Sequence, residues 1–289
     1  MGIFDSLFKK KERIEFSDGY YIGNVDKNKN PHGKGTKYWN DGDKYEGDWV
    51  DGKKHGKGTF YWSDGTKYEG DFVDGKRTGK GTMYYNNGHR YEGDWIDGNR
   101  HGKGTMYYNN GDKYEGDWVD DKRYGRGTFY AINGNKYEGD WVDDEGHGKG
   151  TLYLSNGDRC EGNWVHGNGH GKCTYYWSYG DKYEGDFVDG QRHGKGTYYF
   201  NDGRKYEGDW VDDKYHGKGT FYFNSGSKYV GAFKNGSPHG HGVYYENNRT
   251  TYEGEWRGFF NATNVTKREG LSCSHGKYVD GRFISNKYK

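Results

Sequence analysis

One position of this sequence carries a histidine at regular intervals, in copies of a segment that repeats every 23 residues. These histidines are His32, His55, His101, His147, His170, His193, His216 and His239. If each copy is one β-hairpin, equivalent side chains lie about 10 Å apart, because neighbouring strands are spaced at about 4.8 Å. Histidine ligands of zinc lie within about 2.1 Å of the ion. We therefore predict no metal site, and expect each histidine to pack at a loop end, as His55 would beside Gly56.

Carboxylate and basic side chains also recur at fixed positions of the repeat. The glutamates are Glu46, Glu69, Glu92, Glu115, Glu138, Glu161, Glu184 and Glu207. Paired carboxylates are the acid and base of glycoside hydrolases, but here every carboxylate has basic neighbours and nothing distinguishes one pair. The segment Gly56-Lys57-Gly58 is not a phosphate loop, because no helix follows it. We predict no catalytic residue and no cofactor, and hence a protein that is not an enzyme.

The composition limits the class of protein. The 289 residues include 53 glycines and only 2 prolines, and aromatic residues make up 19%. The apolar surface available for burial is therefore mainly aromatic. A net charge of +1 argues against non-specific nucleic-acid binding, which needs a basic surface. Three cysteines are too few for a secreted disulfide scaffold. With no signal peptide and no apolar span of about 20 residues, we predict a cytoplasmic protein, and peripheral attachment to a membrane stays open.

Each repeat is predicted to form two short strands. Residues Tyr45–Val50 alternate between aromatic, charged and glycine positions, and a period of two residues is typical of a strand. Asp51–Lys54 is predicted to be a turn, and Gly56–Trp62 the second strand. The turn into the next repeat is predicted at Ser63-Asp64-Gly65, because Asp-Gly is a strong hairpin signal. The repeat has no room for a helix.

We predict the register of the hairpin by placing Gly47 opposite Gly58. In this register most aromatic rings and glycines lie on one face of the sheet, and such a separation of faces is what specifies a register. Tyr45 then faces Phe60, and the glycines leave room for the large rings. Cross-strand aromatic pairs contribute roughly 0.2–1 kcal/mol each, so a row of them can replace a conventional core. The other opposed pairs predicted by this register are Trp49 with Gly56 and Asp48 with Lys57.

The repeat YEGDWVDGKKHGKGTFYWSDGTK, residues 45–67, resembles the MORN (membrane occupation and recognition nexus) repeat. Copies begin at residues 21, 45, 68, 91, 114, 137, 160, 183, 206 and 229, with a partial copy at 252. The resemblance implies an all-β fold, an elongated single-layer antiparallel sheet of about ten stacked β-hairpins. The copies depart from the pattern at Val25, Cys160, Cys173, Val230 and His241.

The repeats divide the chain into three segments. Residues 1–20 are an amphipathic, basic segment with a half-repeat, residues 21–256 are the array, and residues 257–289 are a C-terminal cap or tail. Gly276–Phe283 looks like a decayed repeat strand, and we expect it to cap the far edge of the sheet, as terminal copies of a solenoid must.

Two cysteines of one copy, Cys160 and Cys173, replace the tyrosine and a glycine. In the predicted register they lie on one face as diagonal neighbours. We expect two reduced thiols that fill the space of the missing ring. A disulfide is the alternative.

The first eleven residues, Met1–Lys11, stand outside the repeat. Their apolar residues fall on one helical face, so a short N-terminal helix is possible, and three lysines follow. Gly2 with Ser6 fits the M-G-x-x-x-[ST] pattern of N-myristoylation, and a basic run is the usual second signal for such an anchor. Two interpretations stay open: the segment caps the first strand, or it attaches the chain to a membrane.

Basic loops are more frequent in the first half of the array than in the second. Each basic group near an anionic membrane surface contributes about 1 kcal/mol, and the alternative is variation that favours solubility. The candidate membrane contacts are Gly2, Lys9, Lys10, Lys11, Lys53, Lys54, Lys76 and Arg77.

The function expected from these observations is a non-enzymatic MORN-repeat scaffold or protein-interaction module. Its aromatic groove would accept a protein partner or a second copy of the array. The candidate groove residues are Tyr45, Trp49, Trp95, Trp118, Trp141 and Trp210. One alternative is a peripheral membrane protein that binds anionic phospholipids, and another is a regulatory subunit that acts on an enzyme in trans. No nucleic-acid partner is expected.

Overall fold

The computed structural model describes residues 11–247 and 249–286, and within these ranges it contains strands and turns but no helix. The chain divides into two compact parts, which we call the N-terminal part (up to residue 145) and the C-terminal part (from residue 146). In each part, every strand pairs antiparallel with the next strand in sequence. The prediction of an all-β antiparallel fold built from hairpins is therefore confirmed.

The strands of the N-terminal part are β1 (Glu12–Phe16), β2 (Gly19–Val25), β3 (Pro31–Trp39), β4 (Lys44–Val50), β5 (Lys53–Tyr61), β6 (Lys67–Val73), β7 (Lys76–Tyr84), β8 (Arg90–Ile96), β9 (Asn99–Tyr107), β10 (Lys113–Val119), β11 (Lys122–Tyr130) and β12 (Lys136–Val142). The strands of the C-terminal part are β13 (Glu145–Tyr153), β14 (Arg159–Val165), β15 (Asn168–Tyr176), β16 (Lys182–Val188), β17 (Gln191–Tyr199), β18 (Lys205–Val211), β19 (Lys214–Tyr222), β20 (Lys228–Lys234), β21 (Ser237–Tyr245), β22 (Thr251–Arg257), β23 (Ala262–Glu269), β24 (Ser272–Val279) and β25 (Arg282–Ser285).

A tight turn closes the hairpin between β4 and β5. Its central residues are Asp51 and Gly52, with φ angles of 48° and 78°. Two successive positive φ values are typical of a type I′ turn, whose twist suits a hairpin and which favours Asp-Gly. The predicted turn Asp51–Lys54 is too long, because Lys53 already pairs with Val50 as the first residue of β5.

The predicted register holds for the first half of this hairpin. Tyr45 pairs with Phe60, and Gly47 pairs with Gly58. The period-two alternation and the glycine positions identified this half correctly because directly opposed residues share one face of the sheet.

A β-bulge shifts the register after Gly47. The observed pairs are Asp48 with His55 and Trp49 with Lys54, so the predicted pairs Asp48–Lys57 and Trp49–Gly56 are wrong. The bulge forms at Gly56, whose φ of +55° suits glycine. The Asp48 carboxylate stabilises it by accepting a hydrogen bond of 3.1 Å from the backbone N–H of Lys57. As a result the Lys54 side chain lies on the same face as Trp49.

Strands continue past Trp256. The segment Gly276–Phe283 covers the end of β24 and the start of β25. The Tyr278 ring centroid lies 5.0 Å from that of Tyr252 and 5.5 Å from that of Trp256, so the tail packs on the last intact repeat strand. The possible N-terminal helix falls on residues outside the described ranges.

Candidate functional site

Tyr45 shows how the tyrosine of an intact repeat packs against two glycines. An ideal Cβ atom on Gly58 would lie 2.2 Å from Tyr45 Oη, and one on Gly47 would lie 2.5 Å away, so a larger residue does not fit there. Tyr45 Oη donates hydrogen bonds to the carbonyl oxygens of Asp48 at 3.1 Å and His55 at 3.3 Å. Burial raises the pKa of Tyr45, so the phenol stays neutral and its polar end is satisfied.

The tyrosines alternate with tryptophan or phenylalanine rings in edge-to-face contact, and we call these rings the aromatic layer. The Tyr45 centroid lies 5.1 Å from that of Trp49 and 5.0 Å from that of Phe72 in the next repeat, at interplanar angles of 84° and 81°. Such pairs contribute about 0.5–1.5 kcal/mol each beyond their buried area. In the C-terminal part the layer includes Tyr183, Phe187, Tyr206, Trp210, Tyr229, Phe233 and Trp256.

All six candidate groove residues belong to the aromatic layer. Their exposed fractions are 0% for Tyr45, 3% for Trp49, 2% for Trp95, 2% for Trp118, 6% for Trp141 and 2% for Trp210. Their surface is used by packing within the fold, and the indole N–H of Trp49 donates to the carbonyl oxygen of Gly35 at 3.1 Å. Their role as a partner groove stays a prediction.

Basic side chains cover the aromatic layer in the N-terminal part. Lys54 Nζ lies 4.3 Å from the Phe60 ring centroid, and Arg77 Cζ lies 4.7 Å from that of Trp95, which are cation–π distances. Burial, and next the charge of Arg77, lower the pKa of Lys54 to about 8. The sequence placed both residues in loops. The sequence nevertheless indicates that side chains at this position are partly buried, because several other repeats have small or apolar residues there. These residues are Gly146, Gly169, Tyr215 and Pro238.

The other candidate membrane contacts that the structure describes lie at the surface. Lys53 Nζ is 3.9 Å from a carboxylate oxygen of Asp74, and Lys76 Nζ is 3.0 Å from one of Asp97. Lys11 is exposed. The candidates outside the described ranges are Gly2, Lys9 and Lys10. Membrane contact stays a prediction, which flotation with phosphoinositide liposomes can test on the full chain and on a chain lacking residues 1–11.

The face opposite the aromatic layer, which we call the polar face, carries rows of lysine, glutamate and threonine. Within β4, Lys44 Nζ lies 3.0 Å from Glu46 Oε1, and between strands Lys34 Nζ lies 2.8 Å from Asp48 Oδ1. The further pairs within strands are Lys67–Glu69, Arg90–Glu92, Lys113–Glu115, Lys136–Glu138, Arg159–Glu161, Lys182–Glu184 and Lys205–Glu207. The further pairs between strands are Lys57–Asp71, Lys80–Asp94, Lys103–Asp117, Arg126–Asp140, Lys172–Asp186 and Lys195–Asp209. Exposed pairs contribute only about 0–1 kcal/mol each, so their main effect is to neutralise the face.

The polar face of the C-terminal part forms an open groove with a volume of about 1200 Å³. The groove crosses the strands from β14 to β21, and each intact repeat contributes the same side-chain types, such as Glu184, Lys195 and Thr197. At one end the lining changes to Val230, Ala232, His241 and Val243. The rows of charged residues on the polar face are visible in the sequence, but the groove is not, because a repeat pattern does not show the shape of a sheet.

The two cysteines of the repeat that begins at residue 160 are buried free thiols. Cys173 lies opposite Gly162, and so diagonal to Cys160, as the predicted register requires. Cys173 Sγ lies 3.2 Å from the carbonyl oxygen of Asn163 and 3.8 Å from that of His170. These carbonyls are the equivalents of those that bind Tyr45 Oη, so the thiol takes the place of the missing phenol.

The repeated histidines lie near turn aspartates. His101 Nδ1 is 3.6 Å from Asp120 Oδ1, and His193 Nδ1 is 3.7 Å from Asp212 Oδ1. In residues 11–247 and 249–286, no group of three or more histidine, cysteine or acidic residues could hold a metal ion. The same ranges contain no helix with the length and apolar character needed to cross a membrane.

Tandem β-hairpins with one aromatic and one polar face define a β-repeat protein. A family model for the MORN repeat matches residues 21–44, 45–67, 68–90, 91–113, 114–136, 137–159, 160–182, 183–203, 206–228 and 229–248. The chain therefore belongs to the MORN repeat family, and the resemblance seen in the sequence is confirmed. No curated protein sequence matches the chain.

Several solved structures match the chain at low sequence identity. The TCP domain of Drosophila melanogaster SAS-4, in complex with a proline-rich motif of Ana2, is 17% identical, with 54% of this chain and 85% of that chain covered and a TM-score of 0.34. The TCP10 domain of Danio rerio CPAP, in complex with a STIL peptide, is 10% identical, with 81% and 92% covered and a TM-score of 0.25. Streptogramin B lyase is 11% identical, with 93% and 86% covered and a TM-score of 0.16. These similarities are too distant to bear on function.

Proposed function

We propose that this chain is a non-enzymatic scaffold that docks a protein partner in the groove of its polar face. The observation that carries the proposal is the groove itself, with its volume of about 1200 Å³ on strands β14 to β21. Small-molecule pockets usually have volumes of about 300–1000 Å³ and enclose most of the ligand. An open groove that repeats one set of side chains over several hairpins suits a polypeptide better than a small molecule.

The two faces of the hairpins support this assignment. The rings of the aromatic layer are buried against each other, so they stabilise the fold and offer little surface. The polar face presents glutamate, lysine and threonine side chains, which can exchange their ion pairs for contacts with a partner at small cost because exposed ion pairs are weak.

Site-specific photocrosslinking in cells that express the protein tests the proposal. A photoreactive benzoylphenylalanine replaces Thr197, which lines the groove, and in a control it replaces Asp202, which is exposed in the turn between β17 and β18. We expect a discrete crosslinked protein from position 197 that mass spectrometry can identify and that position 202 does not capture. The same crosslinks from both positions, or none from position 197, would contradict the proposal.

A further inference from the structure

The repeat that begins at Tyr229 interrupts the polar face. Val230 stands where most other repeats have glutamate, Ala232 where most have aspartate, and Val243 where the others have threonine. All three line the groove. Val230 and Val243 are directly opposed, and Val230 is 37% exposed. We call Val230, Ala232 and Val243 the aliphatic patch.

The same substitutions remove the partners of two lysines. Lys228 precedes Val230 by two residues on β20, the spacing at which other repeats form a lysine–glutamate pair. Lys218 lies opposite Ala232, the position at which other repeats supply the aspartate of the pair between strands. Neither lysine makes an ion pair with any residue in the part of the chain that the structure describes. Two cations without counter-charges therefore flank an aliphatic patch in the groove.

We infer that the aliphatic patch, with Lys218 and Lys228, binds an acidic peptide segment of a protein partner, in which two carboxylates flank an aliphatic side chain. The inference deepens the proposed function and rests on it. Lysine donates hydrogen bonds but accepts none, so the missing counter-charges must come from an anion. In the other repeats those counter-charges are carboxylates of glutamate and aspartate, which a peptide can supply in the same form.

The spacing of the site defines the peptide. Lys228, Val230 and Ala232 occupy alternate positions of β20, so the first and last lie about 13 Å apart. Lys218 lies on the neighbouring strand, about 4.8 Å further across the sheet. An extended peptide places residues i, i+2 and i+4 on one face over the same length. Acidic residues at i and i+4 with an aliphatic residue at i+2 therefore match the two lysines and the patch between them.

Panning of a random-peptide display library on the immobilised full chain tests the inference. The counter-selection uses the variant Val230→Glu/Ala232→Asp, which gives this repeat the carboxylates that most others carry and should therefore fold. We expect enriched peptides with two acidic residues around an aliphatic one, and about tenfold or greater loss of affinity on the variant. Failure to enrich such peptides, or equal affinity for both proteins, overturns the inference.

A transplanted site provides the matched control. The triple variant Glu184→Val/Asp186→Ala/Thr197→Val builds the same pattern two repeats earlier and frees Lys172 and Lys182 from their carboxylates. Calorimetric titration with the most enriched synthetic peptide should give two bound peptides per chain instead of one. A stoichiometry of one would overturn the inference.

Two further outcomes are informative. One shows whether the occupant of the site is a peptide or a lipid surface, and the other shows whether the proposed function survives when this inference fails. The first outcome has three parts: the wild-type chain floats with phosphatidylserine vesicles, the Val230→Glu/Ala232→Asp variant does not float, and panning enriches no peptide. In that case the occupant is a lipid surface and the peptide assignment is wrong. If position 197 crosslinks a protein but panning fails, the proposed function stands and only this inference is lost.

Discussion

The cysteine pair offers a direct test of how the repeat packs. Cys160 stands where intact repeats have the buried tyrosine, and Cys173 stands where they have one of the glycines that contact that tyrosine. In an intact repeat of the same part, an ideal Cβ on Gly196 would lie 2.2 Å from Tyr183 Oη. The tyrosine ring therefore fits only when the opposing residue is glycine. For this reason we expect the effects of substitutions at residues 160 and 173 on the free energy of unfolding to be coupled.

The expected sizes follow from the contacts. Cys160→Tyr alone forces the new ring against Cβ of residue 173, and overpacking costs about 1–3 kcal/mol or more. Cys173→Gly alone removes a buried thiol and adds the backbone entropy of glycine, together about 1–2 kcal/mol. The double variant gains edge contacts with Trp164 and Phe187, about 0.5–1.5 kcal/mol each, and a hydrogen bond to Asn163 worth about 1 kcal/mol. It should be at least as stable as the wild type, with a coupling energy of at least about 2 kcal/mol.

The assay is urea unfolding of the four proteins, followed by tryptophan fluorescence. Because a repeat array need not unfold in one step, hydrogen exchange of the amides in β14 and β15 gives the local free energy. If the single effects add to within about 0.5 kcal/mol, or if Cys160→Tyr alone leaves stability unchanged, the packing argument is refuted.

Two further predictions concern a half-buried glycine, Gly196, and a half-buried lysine, Lys54. Gly196→Ala should lower the free energy of unfolding by about 1–3 kcal/mol, because the added Cβ would meet the Tyr183 ring. Gly169→Ala should be tolerated, because the nearest atom to its added Cβ lies 3.7 Å away. Urea unfolding compares the two variants, and equal losses of stability would contradict the reasoning. The pKa of Lys54 is lowered from 10.5 to about 8, so the folded state disfavours the charged form of the lysine. The neutral side chain carries no such penalty, and its contribution to stability is therefore complete above pH 10.5. That contribution is lost as the pH falls through 8, where Lys54 becomes charged in the folded state. The stability of the wild type relative to Lys54→Met should therefore rise between pH 8 and 10.5, which urea unfolding at a series of pH values measures. A flat profile would contradict the packing of Lys54 against the aromatic layer.

The hairpins and their aromatic face were predictable because the sequence repeats the relevant signals in almost every copy. Alternation from Tyr45 onward indicates a strand, Asp-Gly indicates the turn, and the opposed glycines indicate which side holds the rings. The bulge was not predicted, although most copies carry its signal. Gly56 and Asp48 recur together, the glycine to adopt a positive φ and the aspartate to bind the backbone N–H released there.

The candidate site was less predictable, because the bulge decides which side chains reach which face. Without it, Lys54 and Arg77 belong to a basic loop, whereas with it they cover the aromatic layer. Val230 and His241 stand out in the sequence as departures from the repeat, whereas Ala232 was not recognised as one. Its importance depends on Lys218 lying opposite it in the register, which only the structure shows.

The division of the hairpin into two faces separates stability from recognition. The rings of the aromatic layer contact rings in their own or adjoining repeats, so a substitution there changes the fold before it changes binding. Residues of the polar face form weak, exposed pairs, and the repeat at Tyr229 has lost two of them without losing its strands. A function particular to this chain can therefore arise on the polar face through a few substitutions, because the array that supports that face does not depend on the residues replaced.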